Sequence, residues 1–381
     1  MGDYNSSGGP WAATEPDEPV TAAPDWGDPP LGPEATAVPI VFALICVVGL
    51  AGNLLVIYVV WKYERMKSVT NYYIVNLAVA DVAFLLCCVP FSAAGFATTS
   101  WHYGLFMCKF VFYFMQVTTM ATCLTLAALS IDRYVAIVHP VSSIDRRTPA
   151  LAMAISGCIW IGSFLLSVPV AIYTQLVEGF WYGPQVYCQE QWPSPQAELG
   201  YNIYTILISY VIPLLISATS HTLIVCSLYK NSVQPLQNQQ NEQQALRKKK
   251  KVTRMVAVVV ILFAACWLPN HLINLCSQLK VVHLGYEVYC MKIAALCLSY
   301  ANSAANPFVY GFMGQNFRKS FKKAFPRCFH QNRVAVMMPD GARAGGSGSR
   351  GGTGSGNGNN VNLKPFVQNK VYTVEERIPT V

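Results

Sequence analysis

The sequence predicts an all-α membrane protein, a seven-transmembrane helix bundle with a cytoplasmic amphipathic eighth helix. Three observations lead there. Apolar residues make up 53% of the 381-residue chain and charged residues only 12%, about half the charged share of an ordinary soluble domain. The apolar residues collect in seven stretches, each long enough for a helix to cross the hydrocarbon core, which takes about 20 residues. The cations gather in alternate connections between those stretches, as they do when positive charge sets membrane orientation.

Residues 1–37 are acidic. No Lys or Arg precedes Lys62, whereas Asp3, Glu15, Asp17, Glu18, Asp25, Asp28 and Glu34 do. With no apolar run before residue 38, no cleavable signal peptide is expected, and the first span is read as its own insertion signal. The segment is expected to be disordered and extracellular, with Asn5-Ser6-Ser7 as an N-glycosylation acceptor.

The apolar core, 38–312, divides into spans at 38–62, 71–98, 105–138, 150–174, 200–229, 249–278 and 286–312. Only helices satisfy their own backbone in lipid without closing into a barrel. All but three of the 27 Lys and Arg fall in the loops 62–70, 133–149 and 230–254 or after residue 315; the exceptions are Lys109, Lys280 and Lys292. The amino terminus is therefore expected outside and the carboxyl terminus in the cytoplasm. The net charge of +8 does not suggest a nucleic-acid partner, because the cations flank apolar spans. Lys248 to Lys251 open span six and are read as a stop at the surface of anionic lipid or, equally, as a face for a cytoplasmic partner.

Phe317, Phe321 and Phe325 recur every four residues with Arg318, Lys319, Lys322 and Lys323 around them. Residues 315–329 are thus expected to form an amphipathic helix on the inner leaflet, with Cys328 a palmitoylation candidate. Residues 330–381 are expected to be a disordered cytoplasmic tail, Gly-, Ser- and Asn-rich over 341–360.

Polar residues inside apolar spans need a reason, because a charge at mid-membrane costs about 2.5–3.5 kcal/mol on insertion scales. Asn53, Asp81, Asn302, Ser303 and Asn306 are expected to converge on a small cavity suited to water and a cation such as Na⁺, with Asp81 its ligand, as well as to hydrogen-bond between helices. Asp132-Arg133-Tyr134 closes span three, and an Arg beside an Asp there can exchange partners between two states. Pro269 and Pro307 remove backbone hydrogen bonds from spans six and seven and permit kinks. Cys108 and Cys188 both face the oxidising side and are expected to form a disulfide. Cys276 and Cys290 are a second candidate pair.

These motifs together resemble the rhodopsin-like G-protein-coupled receptors: Gly52-Asn53, Leu77-Ala78-Val79-Ala80-Asp81, Asp132-Arg133-Tyr134, Trp160, Cys266-Trp267-Leu268-Pro269 and Asn306-Pro307-Phe308-Val309-Tyr310 stand in order, one per helix. Within that family Arg147-Thr148-Pro149, Glu178 to Pro184, Tyr187-Cys188, Phe84 to Phe91 and Ser299 to Ser303 are similar to kisspeptin receptors. Leu126 to His139 and Trp267 to His271 lean to galanin and allatostatin receptors. The resemblance implies a neuropeptide ligand, a heterotrimeric G protein and arrestin as partners, and no enzymatic activity. It implies that Trp267 and Phe263 rotate on activation, that Tyr310 and Arg133 rearrange as helix six swings out, that Pro213, Cys123 and Phe263 connect pocket to cytoplasm, and that Pro140 and Val141 contact the G protein. The kisspeptin side implies Gq-type coupling and a calcium response, the galanin side Gi.

The chain departs from the family pattern in three places. Lys249 stands where an acid often locks Arg133, so that lock cannot form. His221 replaces the usual Tyr eight residues after Pro213. Met115 and Gln116 stand where amine receptors carry Asp, and Leu296 where a retinal-binding Lys would be. Small amines and retinal are therefore disfavoured. The expected pocket, Phe91, Gln116, Asn270, His271, Asn274, Leu296 and Tyr300, is rich in amides that pair with peptide bonds or an amidated terminus. Glu178, Glu190, Glu198 and Glu287 rim it, and Glu190, held by the Cys188 bridge, is the expected partner of a basic ligand residue.

Two other classes fit less well. A membrane enzyme needs convergent ligands or nucleophiles, and the six His are scattered along the chain. A transporter is expected to show internal repeats and paired broken helices, and the spans show neither.

Overall fold

Prolines and small polar caps set the helix boundaries of the computed structural model, which describes residues 32–324 apart from 144, 181–182, 234–238 and 283–284. Helix α1 spans Glu34–Lys62. A 3₁₀ turn at Glu64–Met66 leads into α2, Val69–Cys87, whose cap Ser68 accepts the Asn71 N–H. Pro90 then interrupts the run, and α3 continues as Val89–Ala97. The long α4 is Gly104–Val138. Thr148 caps α5, Pro149–Leu166, with Pro149 at its first turn, where a missing N–H is harmless. The short α6 is Val168–Tyr173.

Strands β1, Thr174–Phe180, and β2, Pro184–Glu190, form an antiparallel hairpin in which Leu176 faces Cys188. Gly183 takes φ +124° at its turn, a conformation open to glycine. Ser194 caps α7, Pro195–Ile206. A π-helical segment, Leu207–Val211, joins α7 to α8, Ile212–Val233. Helices α9, Gln239–Gln278, α10, Tyr286–Met313, and α11, Gln315–Ala324, complete the described chain.

Each of the seven expected spans is helical. Six helical stretches among the described residues are long and apolar enough to cross a membrane. The seventh, α10, has the length, but Glu287, Lys292, Asn302 and Asn306 dilute its apolar character. Helix α9 starts ten residues earlier than expected, because Gln, Glu and Lys support a helix without being apolar. The backbone breaks were not all foreseen. They fall at Pro90, at Pro169 and just before Pro213, whereas α9 and α10 run through Pro269 and Pro307.

The short α11 presents Phe317 to the bundle rather than to lipid: Phe317 is 3% exposed and stacks on Tyr310 at 5.8 Å between ring centroids. Asn5, Cys328, most of the amino-terminal segment, the end of the expected amphipathic helix and the tail after residue 330 lie outside the described residues.

Helix α4 runs through the centre, and its interior face is small and polar enough for close packing. Asn76 donates to Thr125 Oγ1 at 2.7 Å and accepts from Trp160 Nε1 at 2.8 Å, which ties α2, α4 and α5 together. Large apolar side chains such as Val47, Leu165 and Phe312 point outward, at 68%, 67% and 78% exposure, as a lipid-facing surface requires.

Helices α1 and α10 meet through glycine. A Cβ on Gly52 would lie 2.8 Å from the Pro307 ring, and one on Gly49 would lie 3.3 Å from Ala304 Cβ. The contact brings Asn53 within reach of α10, where its Nδ2 donates to the Ser303 carbonyl at 2.8 Å. That is the carbonyl an N–H at position 307 would have bonded, so Asn53 replaces the donor that proline lacks. Gly52→Val is expected to destabilise the fold by about 1–3 kcal/mol through overpacking, and Asn53→Ala by about 1–3 kcal/mol through the unpaired carbonyl. Thermal melting of the purified protein reads both, with Gly157→Ala, whose added Cβ meets nothing within 4 Å, as the control. Melting of Gly52→Val alongside that control would disprove the close-approach argument.

Candidate functional site

Two chambers open at the hairpin end of the bundle. One, of about 550 Å³, is mainly apolar and is lined by Phe91, Phe96, Trp101, Met115, Leu296 and Tyr300 with Tyr187 and Gln189 of the hairpin. The other, of about 500 Å³, is polar, and Gln116, Glu190, Glu198, Asn274, Lys280 and Lys292 contribute to its wall. The Cys108–Cys188 disulfide is formed, with Cα atoms 5.6 Å apart. It fixes the hairpin above both chambers, helped by Trp101 N–H, which donates to the Val186 carbonyl at 2.7 Å. Cys276 and Cys290 are not joined to each other.

The expected pocket residues thus separate. Phe91, Leu296 and Tyr300 line the apolar chamber. Gln116, Asn274 and Glu190 line the polar one. Tyr300 is 2% exposed; its hydroxyl lies 3.0 Å from Ser92 Oγ and its ring packs on Phe42 and Phe84. His271 lies beneath the chambers with its ring between Tyr210 and Trp267, at 4.9 and 6.0 Å. Asn270 is half-buried on α9 and lines neither chamber, and Glu178 and Glu287 are exposed away from both.

Several wall residues were not anticipated. Trp192 stacks between Tyr173 and Tyr201 at 4.5 and 4.6 Å and donates its Nε1–H to Glu190 Oε2 at 2.8 Å. Gln278 accepts from Asn202 at 2.7 Å and donates to Glu198 at 3.1 Å, bridging α7 and α9. The aromatic Trp192 directly after the hairpin was the available signal; the Gln278 bridge had none. Water reaches Glu190, yet protein surrounds it closely enough for lost hydration to raise its pKa. The Trp192 N–H opposes that rise and the charge of Glu198 adds to it.

Below Trp267 lies a cavity of about 10 Å³, lined by Asp81, Thr118, Thr119, Thr122, Asn302 and Ser303, about one water in size. Asn306 Nδ2 donates to Asp81 Oδ2 at 2.9 Å. Asn302 Oδ1 is buried without a partner in the protein. A carboxylate, amide and hydroxyl oxygens around so small a space are hard donors that fit an alkali cation. Asn53 is near but spends its amide on Gly49 and Ser303. Phe263 is 1% exposed and packs on Trp267 and Tyr210, in the same core cluster as Cys123. Pro213 is buried two residues beyond the π-helical segment.

At the opposite end, Asp132 is 8% exposed and holds three partners. Arg133 reaches it through Nε at 3.1 Å, Arg147 through Nε at 2.8 Å, and Thr70 through its hydroxyl at 3.0 Å. The Tyr134 hydroxyl pairs with His139 Nε2 at 3.2 Å. Pro140 and Val141 are exposed, Val141 by 81%. The Tyr310 hydroxyl is buried without a protein partner, and His221 pairs its Nδ1 with the Ser217 carbonyl at 2.8 Å.

A family model, the 7 transmembrane receptor (rhodopsin family), matches residues 52–310. The chain belongs to this receptor family. It is 44% identical to G-protein coupled receptor 54 of Oreochromis niloticus, over 83% of this chain and 85% of that one. It is 42% identical to the KiSS-1 receptor of Mus musculus, over 82% and 81%, and 36% identical to galanin receptor type 1 of Homo sapiens, over 79% and 87%. The chain is therefore a multi-pass membrane receptor and not an enzyme.

Among the described residues, Arg133 is held by its neighbour on α4 and not by α9. Its carboxylate partner is Asp132, which Arg147 shares from the loop between spans three and four. Lys249 is exposed on α9 and makes no ion pair with a described carboxylate. Lys249→Glu is expected to lower ligand-free nucleotide exchange on a G protein, by up to about fivefold if the new pair has the weight of a surface ion pair. Purified receptor and G protein give the measurement directly. Unchanged basal exchange would show that position 249 has no hold on the resting state.

Proposed function

We propose that the receptor sits in the plasma membrane and is activated by a neuropeptide, most closely a kisspeptin-like amidated peptide. The observation that carries this reading is the pair of chambers side by side beneath a disulfide-fixed hairpin. The apolar chamber suits an aromatic peptide end. The polar chamber offers Gln116 and Asn274 to peptide amides and Glu190 to a basic residue. No acid of α4 reaches either chamber, which speaks against a small amine ligand. The KiSS-1 receptor of the mouse, by its name a receptor for KiSS-1, supports the same ligand class.

The chambers then face outward and the Asp132 cluster faces the cytoplasm, the orientation that the distribution of Lys and Arg favours. Asn5 would carry a glycan and Cys328 a palmitoyl group. Na⁺ would occupy the Asp81 cavity, with Asn302 and Ser303 adding oxygens. Activation passes to a heterotrimeric G protein through Arg133, Tyr310, Pro140 and Val141, and arrestin follows. Gq-type coupling with phospholipase C and calcium is favoured. A galanin- or allatostatin-type peptide acting through Gi is the second reading, favoured by the 36% identity to galanin receptor type 1. A panel of amidated peptides of both classes, with calcium and cyclic AMP read in parallel, decides between them.

Glu190→Gln is expected to weaken a basic peptide agonist about tenfold or more while leaving a neutral analogue almost unchanged, since truncating a close interfacial charge pair costs about 1.5 kcal/mol or more. Because the Glu190 pKa is raised, its charge is lost as pH falls through a value above that of an ordinary carboxylate. The preference for the basic peptide should fade over that same interval. Equal loss of both peptides in the variant would reduce Glu190 to a positioning role for the loop.

A further inference from the structure

A third cleft, of about 420 Å³, lies between α8 and α9, beside the lysine run of α9. Its wall is apolar: Val225, Leu228 and Tyr229 come from α8 and Ala257 from α9. Val225 and Tyr229 are 61% and 73% exposed. Lys250 and Arg254 stand at its rim, both exposed, and neither makes an ion pair with a described carboxylate. His221 adds an imidazole whose Nε2 has no hydrogen-bond partner in the protein.

We propose that this cleft is a binding site for an anionic phospholipid, with the phosphorylated headgroup on Lys250 and Arg254 and an acyl chain along Val225, Leu228 and Tyr229. Charge complementarity and placement select this occupant. The cleft opens sideways from two membrane-spanning helices, so its neighbours are lipid tails. Its two cations sit one helical turn apart on α9, one within the Lys248 to Lys251 run and one just after it. An acidic protein segment would satisfy the cations and leave the exposed apolar wall uncovered, whereas a phospholipid covers both. A lipid held here also links α8 to α9, so its occupancy depends on the spacing of those two helices. The inference rests on the membrane-spanning fold and not on the peptide reading.

The test uses the full-length receptor in mild detergent, with native mass spectrometry reading retained phosphatidylcholine, phosphatidylserine or phosphatidylinositol 4,5-bisphosphate. The unaltered receptor is expected to keep the anionic lipids in preference to phosphatidylcholine. The Lys250→Gln, Arg254→Gln double variant should lose about thirtyfold in affinity, since two surface cations are each worth about fivefold. Ala257→Phe, which fills the cleft and keeps its charge, should lose comparably. Val225→Trp at an exposed position repeats that test should Ala257→Phe fail to fold. Lys319→Gln on α11 should bind as the unaltered receptor does.

Undiminished binding in the double variant overturns the site. So does equal loss in Lys319→Gln, which would mean attraction to general surface charge. Full binding in the filled variants, or equal competition by free inositol trisphosphate, removes the acyl chain from the proposal. Retained lipid with lost G-protein activation in the double variant assigns the cations to a protein partner instead.

Discussion

The rest of the bundle depends on the join between α1 and α10. Proline at position 307 leaves the Ser303 carbonyl without its helical donor in a setting where water cannot supply one. Asn53 supplies it across the helix boundary, at 2.8 Å. Glycines at 49 and 52 allow that reach, because any Cβ at Gly52 would meet the Pro307 ring. Gly49, Gly52, Asn53 and Pro307 therefore form a single device across two helices, and none of them makes sense alone. The device also sets the rotation of α10, which puts Asn306 on Asp81 and Tyr310 on Phe317.

A polar interior follows from the same arrangement. Asp81, Asn302, Ser303 and the threonines of α4 form a small hydrophilic space directly under Trp267. Trp267 touches His271 above and Phe263 below. The rings Tyr210, His271, Trp267 and Phe263 make one continuous column from beneath the chambers to the core. A ligand that presses on the upper end acts on closely packed side chains, and close-packed interiors rearrange between discrete states rather than deforming smoothly. The unpaired polar atoms Trp267 Nε1, His271 Nε2, Asn302 Oδ1 and Tyr310 Oη lie along this route, where a change of state can give them partners.

Hydrophobicity and charge alone made the seven helices legible, since lipid imposes one length and one way of satisfying backbone. The buried polar residues were partly legible for the opposite reason: Asp81 and Asn306 stand where lipid forbids them and pair with each other, whereas Asn53 turns to backbone carbonyls instead. The disulfide could be expected from compartment. What escaped was geometry without a periodic signal. Pro90 and Pro169 interrupt helices no less than Pro307 bends the hydrogen-bond ladder, yet a proline does not announce which neighbour repairs it. The expected single pocket became two, with Phe91, Leu296 and Tyr300 in one and Gln116, Asn274 and Glu190 in the other, a division set by packing between distant segments. Phe317 looked lipid-facing on a helix drawn alone and is covered once Tyr310 is placed against it.

The Asp132 end of the bundle shows how a departure in sequence is absorbed. With Lys249 in place of an acid, no described side chain of α9 pairs with Arg133 by charge. The carboxylate of Asp132 instead gathers Arg133, Arg147 and Thr70, so the constraint on Arg133 comes from α2 and the loop before α5. Helix α9 is held near α4 by packing, through the buried Met255, Val256, Val259 and Phe263. Packing is non-directional and yields to displacement by degrees of exposed area, about 25 cal/mol per Å², whereas an ion pair breaks at once. A resting state of this kind resists opening according to how much apolar surface α9 must uncover, which makes the surroundings of α9, including whatever fills the cleft beside α8, part of the setting of the switch.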